Sequence, residues 1–181
     1  SVVSFAEEAL THVSTMGMDA NGKAGALQAI DSLKTRGLTD LNQGWLKGAE
    51  HVARHMESHA GGRNCVLLLS DGLANLGVVE PDTLADTAMG LCSRGVYTST
   101  VGIGVDYSTD QLEVLAEHGG GMMHHADRGE DIVGVIVAEL RDMQMAIVND
   151  VRVSLSVDAS DAGDGPDTNI RASVLGLIAE D

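Results

Sequence analysis

The segment Cys65-Val66-Leu67-Leu68-Leu69-Ser70-Asp71-Gly72 decides the fold of this chain, because an apolar run ends abruptly in an acidic residue and a glycine. A continuous apolar run is typical of a parallel β-strand that helices cover on both faces. In such sheets, ligands bind beyond the carboxyl ends of the strands. Asp71 is therefore the first candidate for a functional residue.

Composition narrows the class of protein. The 181 residues carry a formal net charge of −16 and only 11 lysines and arginines, which argues against nucleic acid as a partner. No apolar stretch reaches roughly 18 residues, so we expect no membrane insertion by this segment. Cys65 and Cys92 form neither a disulfide framework nor a metal-binding spacing. We expect a soluble segment. The sequence does not determine its cellular compartment, and an extracytoplasmic location in the parent protein is one alternative.

Strand-like and helix-like segments alternate along the chain, with turn and cap residues between them. The predicted strands cover residues 2–6, 64–70, 96–103 and 122–126, and the predicted helices cover residues 25–34, 42–59, 81–94, 108–118 and 127–146. In the first helix, Leu27, Ile30 and Leu33 recur on one face. This alternation predicts an α/β fold with a doubly wound, mostly parallel sheet and helices on both faces.

The tail has a different pattern. Residues 151–157 alternate apolar and polar side chains, which favours a half-exposed strand, and a Gly/Asp-rich stretch follows. We predict an α/β domain over residues 1–146 and a short β extension over residues 147–181. The extension is either the start of a β-sandwich or a strand that completes the sheet of the first domain.

The order of five short segments carries a family resemblance. They are residues 2–6, the run Gly37-Leu38-Thr39-Asp40-Leu41-Asn42-Gln43-Gly44, the strand ending in Asp71-Gly72, Gly102-Ile103-Gly104, and Gly119-Gly120-Gly121. In this order and spacing, residues 1–146 resemble a von Willebrand factor type A (VWA) domain of the bacterial type. The resemblance implies a binding module rather than an enzyme.

The resemblance also implies a metal site. Such domains hold a divalent cation at the top of the sheet and use it to capture an acidic group of a protein partner. By resemblance, Thr39 and Asp71 are two of the metal ligands, and oxygen ligands of this kind suit Mg²⁺, with Mn²⁺ or Ca²⁺ as alternatives. The expected rim around this site consists of Leu41, Asn42, Gly72 and Asn75.

One part of the family pattern is missing from this sequence. The Asp-x-Ser-x-Ser segment, which the family carries on its first strand, has no counterpart ahead of Ser1, so we expect an N-terminally incomplete domain in which metal could be absent. The tail strand, with Asp158 and Ser160 at its end, is one candidate to fill the vacant place, either in the same chain or in a homodimer joined through the incomplete sheet.

Simpler interpretations stand beside these hypotheses. Asp71 could cap a loop, and Thr39 and Asp40 could share the cap of a helix. A scaffold that has lost its metal site and acts through surface contacts is the alternative function, and a metal-dependent hydrolase that uses Asp71 ranks below both. His51, His55 and His59, with His124 and His125, raise a weaker zinc hypothesis.

Overall fold

The computed structural model describes residues 1–35, 37–56, 63–145, 154–156 and 171–173. The chain divides into two compact units, Ser1–Glu139 and Leu140–Asp181. We therefore describe each unit by itself. The division lies a few residues before position 146, where the sequence places the end of the α/β domain.

The first unit alternates strands and helices as the sequence predicts, and its last helix runs on into the second unit. The elements are β1 Val2–Phe5, β2 Ala9–Val13, α1 Ala20–Asp31, α2 Leu41–Met56, β3 Asn64–Ser70, α3 Pro81–Cys92, β4 Val96–Ile103, α4 Thr109–His118, β5 Gly120–Ala126 and α5 Ile132–Met145. In the second unit, β6 (Ser154–Ser156) pairs antiparallel with β7 (Arg171–Ser173). Within the described ranges, no helix is long and apolar enough to cross a lipid bilayer.

A three-stranded parallel sheet with the order β3-β4-β5 is the centre of the first unit. In its register Leu67 lies beside Ser99, and Val101 lies beside His124. β1 and β2 form a separate antiparallel hairpin. The predicted α/β fold class is confirmed.

Helices cover both faces of the parallel sheet. On one face, Leu41 and Trp45 of α2 join Leu84 of α3 and Leu112 of α4 in a buried core. The indole Nε1 of Trp45 donates a hydrogen bond of 3.0 Å to the buried Thr98 hydroxyl of β4. Because neighbouring residues of a strand point to opposite faces, Ser99 lies on the other face, where its hydroxyl donates to the Glu139 carboxylate of α5.

Capping residues explain where two helices begin. Ser108 accepts a hydrogen bond from the Gln111 amide at 3.4 Å and so caps the start of α4. Asp19 caps α1 by accepting from the Gly22 amide at 2.8 Å, so α1 begins at Ala20 rather than at residue 25.

Three other details differ from the sequence-based expectations. The strand β2 was not predicted, because its five residues include only a short alternation. β5 begins at Gly120 rather than at residue 122, and a Cβ on Gly121 would lie 2.2 Å from the Thr98 carbonyl oxygen, so glycine permits this close approach of β5 to β4. α5 begins at Ile132 because residues 127–131 form a turn, which the Asp131 amide closes by donating to the Arg128 carbonyl oxygen at 3.0 Å.

Candidate functional site

The loop that contains Thr39 is fixed at the start of α2 by its neighbour Asp40. Asp40 is 9% exposed, and its carboxylate accepts a hydrogen bond from the Gln43 amide at 2.9 Å, which makes Asp40 the N-terminal cap of α2. The Asp40 amide donates to the Ala6 carbonyl oxygen at 2.8 Å, just after β1. Of the two candidate caps, Thr39 and Asp40, it is therefore Asp40 that caps α2. The Thr39 hydroxyl has no hydrogen-bond partner in the described part of the chain.

The loop after β3 is tied directly to Thr39. The Thr39 amide donates to the Asn75 side-chain oxygen at 2.9 Å, and the Thr39 carbonyl oxygen accepts from the amides of Asn75 and Leu76 at 3.1 and 3.2 Å. Gly77 has a φ of +73°, and a Cβ there would lie 2.5 Å from the Asp40 carboxylate oxygens. A side chain at position 77 would therefore displace the loop, so glycine is needed for this connection.

Thr39 and Asp71 line the same cavity. This cavity, of about 310 Å³, lies at the carboxyl ends of β1 and β3 and is also bordered by Ser70. Asp71 is exposed, and its carboxylate makes no hydrogen bond or ion pair with the described residues. The Ser70 hydroxyl, in contrast, donates to the Gly72 carbonyl oxygen at 3.0 Å. The structure thus brings the two predicted metal ligands to one cavity, where neither side chain is hydrogen-bonded to another described residue.

The Thr39 and Asp71 side chains offer oxygen atoms, which suit a hard cation, but they supply only part of a coordination shell. A hydroxyl and a carboxylate are oxygen ligands, and Mg²⁺ often binds through one or two protein oxygens while it keeps several waters. Within the described residues, no group of three or more His, Cys, Asp or Glu side chains could hold a metal. Lys34 also lines the cavity, so its ammonium group would compete with a cation for Asp71.

The structure corrects one of the predicted rim residues. Leu41 is 1% exposed and packs in the core, because it is the first residue of α2 and faces the sheet. It is not available to a partner. Asn42 and Gly72 are half-buried, and Asn75 is exposed, although its side-chain oxygen is already occupied by the Thr39 amide.

The tail residues Asp158 and Ser160 lie outside the described residues, so their assignment to the site stays a prediction. The described part of the tail strand, Ser154–Ser156, pairs with Arg171–Ser173. The assignment of residues 147–181 to a β extension stays a prediction.

Two histidines of α2 have hydrogen-bond partners among the described residues. His51 Nε2 lies 2.8 Å from the Thr11 hydroxyl, and His55 Nδ1 lies 3.0 Å from the His51 carbonyl oxygen. Burial, and then the positive charge of Lys47, lower the pKa of His51. His59 lies outside the described residues. These contacts do not support the zinc hypothesis.

A buried polar network that sequence reasoning missed joins α5 to the sheet. Glu139 is 6% exposed, and its carboxylate accepts a hydrogen bond from the Ser99 hydroxyl and lies 2.8 Å from His124 Nε2. His125, the next residue, lies 2.9 Å from both Tyr107 and Asp127. The signal for the network was present, because a glutamate stands within the apolar pattern of the last helix. These groups satisfy one another and do not border the Thr39–Asp71 cavity.

Comparisons with known proteins agree with this architecture. No family model matches the chain. The uncharacterized protein YfbK of Escherichia coli (strain K12) is 25% identical over 156 residues, a match that covers 86% of this chain and 26% of YfbK. The chain thus spans about a quarter of the length of that relative.

Two solved structures identify the fold. A von Willebrand factor type A structure from Catenulispora acidiphila matches with a TM-score of 0.65 and 17% identity, covering 84% of this chain and 35% of that one. Proximal thread matrix protein 1 from the mussel byssus, solved with a zinc-occupied MIDAS motif, matches with a TM-score of 0.55 and 21% identity, covering 77% of this chain and 33% of that one. The chain therefore has a VWA fold, as the sequence resemblance predicts.

Proposed function

We propose that this chain is a non-enzymatic protein-interaction module that presents a divalent cation to an acidic group of a partner protein. The observation that carries the proposal is the cavity shared by Thr39 and Asp71. The two loops that hold these residues are joined by hydrogen bonds through Asn75, while the two side chains themselves have no structural task in the described part of the chain.

The chemistry of the cavity supports a bridging role for the cation. Asp71 would supply a negative charge and Thr39 a neutral oxygen, and water would fill the remaining positions around Mg²⁺. When bound, the cation supplies a local positive charge with exchangeable ligands. A carboxylate of the partner could then replace one of the waters. The mussel protein with zinc at its MIDAS motif supports this proposal by analogy of fold.

A bound cation would also reduce the electrostatic repulsion between this acidic chain and an acidic partner. With a formal net charge of −16, the surface repels an acidic partner at distances within the Debye length. A cation at the cavity would replace repulsion with attraction at one point. We therefore expect partner association to require the cation and to be reversed by a chelator.

A Mg²⁺ titration of the intact chain tests the cation site. Isothermal titration calorimetry should detect weak binding to the wild type, with Asp71→Asn abolishing it and Thr39→Val weakening it. Asp86→Asn is the matched control, because Asp86 is an exposed aspartate of α3 that makes no hydrogen bond or ion pair with the described residues. Equal binding by wild type and Asp71→Asn would contradict the proposal.

The second candidate is a VWA scaffold that acts through surface contacts without metal. The small number of cavity ligands and the presence of Lys34 favour it. For this candidate, calorimetric titration with millimolar Mg²⁺ or Mn²⁺ should detect no heat of binding. Partner binding should also be unchanged by a chelator. That pair of results would replace the cation-dependent proposal with this one.

A hydrolase that uses Asp71 is a weaker alternative. Asp71 is the one carboxylate that lines the cavity within the described residues, so the cavity offers no second acid or base for proton transfer. We expect no Mg²⁺-dependent turnover of p-nitrophenyl phosphate. Turnover that Asp71→Asn abolishes would revive the enzyme hypothesis.

A further inference from the structure

The helix α1 packs on the first unit through its smallest side chains. Gly22 is buried, and Ala26 and Ala29 are half-buried. A Cβ on Gly22 would lie 2.3 Å from the Gly17 carbonyl oxygen, so glycine permits this close approach. An amphipathic helix usually buries its large apolar side chains instead. In α1 these large side chains lie on the outer side.

The outer side of α1 is an exposed face with an apolar centre. Leu27 is 62% exposed and Ile30 is 47% exposed. Because an α-helix has 3.6 residues per turn, six exposed residues share this side. We call them the α1 face: Ala20, Lys23, Ala24, Leu27, Ile30 and Asp31. Their steps of three and four residues are typical of a surface that packs against another helix.

The charge of α1 differs from that of the whole chain. Lys23 and Asp31 are the two charged residues of α1, so this helix has no net charge, whereas the chain has a formal net charge of −16. Neither side chain forms an ion pair with another described residue. A second copy that approaches through α1 therefore meets less repulsion than at an acidic part of the surface.

The α1 face is complementary to itself. Lys23 and Asp31 lie four residues before and after Leu27, which is about 6 Å along the helix axis in each direction. A two-fold axis at Leu27, with two antiparallel helices, therefore places each Lys23 opposite the Asp31 of the other copy. The same axis places the large Ile30 opposite the small Ala24. Opposite charges thus meet at both ends, and large side chains pack beside small ones between them.

We propose that the α1 face is a docking surface for a second copy of this chain, in an antiparallel α1–α1 dimer centred on Leu27. Two single helices bury less than the roughly 1,200 Å² of a stable interface, so we expect a weak dimer with a Kd on the order of 0.1–1 mM. The dimer does not depend on a cation in the Thr39–Asp71 cavity. Where the proposed function holds, the dimer presents two such cavities to a partner with repeated acidic groups.

Charge-reversed variants of the intact chain test the proposal. Lys23→Asp makes both charges of the α1 face negative, and Asp31→Lys makes both positive. A negative charge near the amino end of a helix and a positive charge near its carboxyl end are favourable, so neither change weakens α1. Asp86→Lys is the matched control, because Asp86 is an exposed residue of α3 and lies outside the α1 face.

Sedimentation velocity should show reversible dimerisation of the wild type at concentrations up to about 2 mM. Lys23→Asp and Asp31→Lys should each self-associate at least about tenfold more weakly, because like charges then meet at both ends. An equimolar mixture of the two variants should form heterodimers with about the wild-type affinity, because each charge again meets its opposite. Asp86→Lys reduces the net negative charge as much as Asp31→Lys does, yet it should dimerise at least as strongly as the wild type.

A disulfide tests the position of the two-fold axis. In a Cys92→Ser background, Leu27→Cys should form a crosslinked dimer under mild oxidation, because the two positions meet at the axis. Gly25→Cys is the control, because position 25 lies on the opposite side of α1 and has open space around it. It should crosslink much more slowly.

Four results would overturn the proposal. A wild type that stays monomeric at about 2 mM would leave the α1 face to a different partner. Self-association of the single variants with wild-type affinity would place the interface on another surface. A mixture that associates no better than the single variants would contradict the antiparallel pairing of Lys23 with Asp31. Equal crosslinking of Leu27→Cys and Gly25→Cys would contradict the axis at Leu27.

Discussion

The contact between Phe5 and Gly44 provides a direct test of how β1 is attached to the rest of the fold. A Cβ on Gly44 would lie 2.3 Å from Phe5 Cγ and 2.5 Å from Phe5 Cβ, so the obstacle includes the base of the side chain and not only its end. Gly44→Ala therefore forces β1 away from α2. Gly25→Ala in α1 is the matched control, because a Cβ on Gly25 has no neighbour within 4 Å.

The two substitutions should change stability in opposite directions. Replacing glycine by alanine inside a helix stabilises by about 0.5–1 kcal/mol, and Gly25→Ala should show this gain. Overpacking typically costs about 1–3 kcal/mol. Gly44→Ala should therefore lose about 1 kcal/mol net, and the difference of about 2 kcal/mol between the two variants reports the clash with Phe5.

Urea unfolding, followed by circular dichroism and by Trp45 fluorescence, measures both free energies of unfolding. The m-values should stay equal to that of the wild type, so that a shift in midpoint reflects stability. If Gly44→Ala is as stable as Gly25→Ala, Phe5 does not pack on α2, and the position of β1 beside this helix is wrong.

Three further predictions concern single side chains. Asp40→Ala should reduce the free energy of unfolding by about 1–2 kcal/mol in urea titrations, because it removes the cap of α2; a change below about 0.3 kcal/mol would contradict the capping role. Burial raises the pKa of the Cys65 thiol, so less of it is thiolate at pH 8. In a Cys92→Ser background, iodoacetamide should therefore alkylate Cys65 more slowly than free cysteine at this pH. Equal rates would contradict the burial of Cys65. Burial lowers the pKa of His51, so the imidazole binds a proton less readily in the folded chain than in the unfolded chain. The free energy of unfolding should therefore fall as the pH drops below about 6.5. His51→Gln should make that fall shallower, as measured by urea midpoints from pH 7.5 to 5.5. Parallel pH curves for the two proteins would refute the assignment to His51.

The sequence predicts those elements whose pattern is local. β3 and β4 have the predicted bounds, since a continuous apolar run between turn residues has few other interpretations. The start of α4 lies within one residue of its predicted position, because its cap, Ser108, contacts only a residue three positions further on. The resemblance also placed Thr39 and Asp71 together, because its segments occur in a fixed order around the sheet edge.

Features that depend on tertiary packing were harder to predict. Leu27, Ile30 and Leu33 form an apolar stripe, yet they are 62%, 47% and 40% exposed, because periodicity shows that a face is apolar and not what covers it. Leu41 belongs to the predicted rim but is buried, because the direction of a side chain at the start of a helix depends on how that helix lies on the sheet. The contact of Glu139 with Ser99 joins residues 40 positions apart, which no local pattern indicates.

The paramagnetic effect of Mn²⁺ tests the central proposal most directly, because Mn²⁺ replaces Mg²⁺ at oxygen sites and broadens nearby amide signals. At substoichiometric Mn²⁺, the account predicts selective broadening around Thr39, Asp71 and Gly72, which excess Mg²⁺ reverses and which Asp71→Asn removes. Broadening spread over the acidic surface, unchanged in Asp71→Asn, would contradict a cation site in the cavity between β1 and β3.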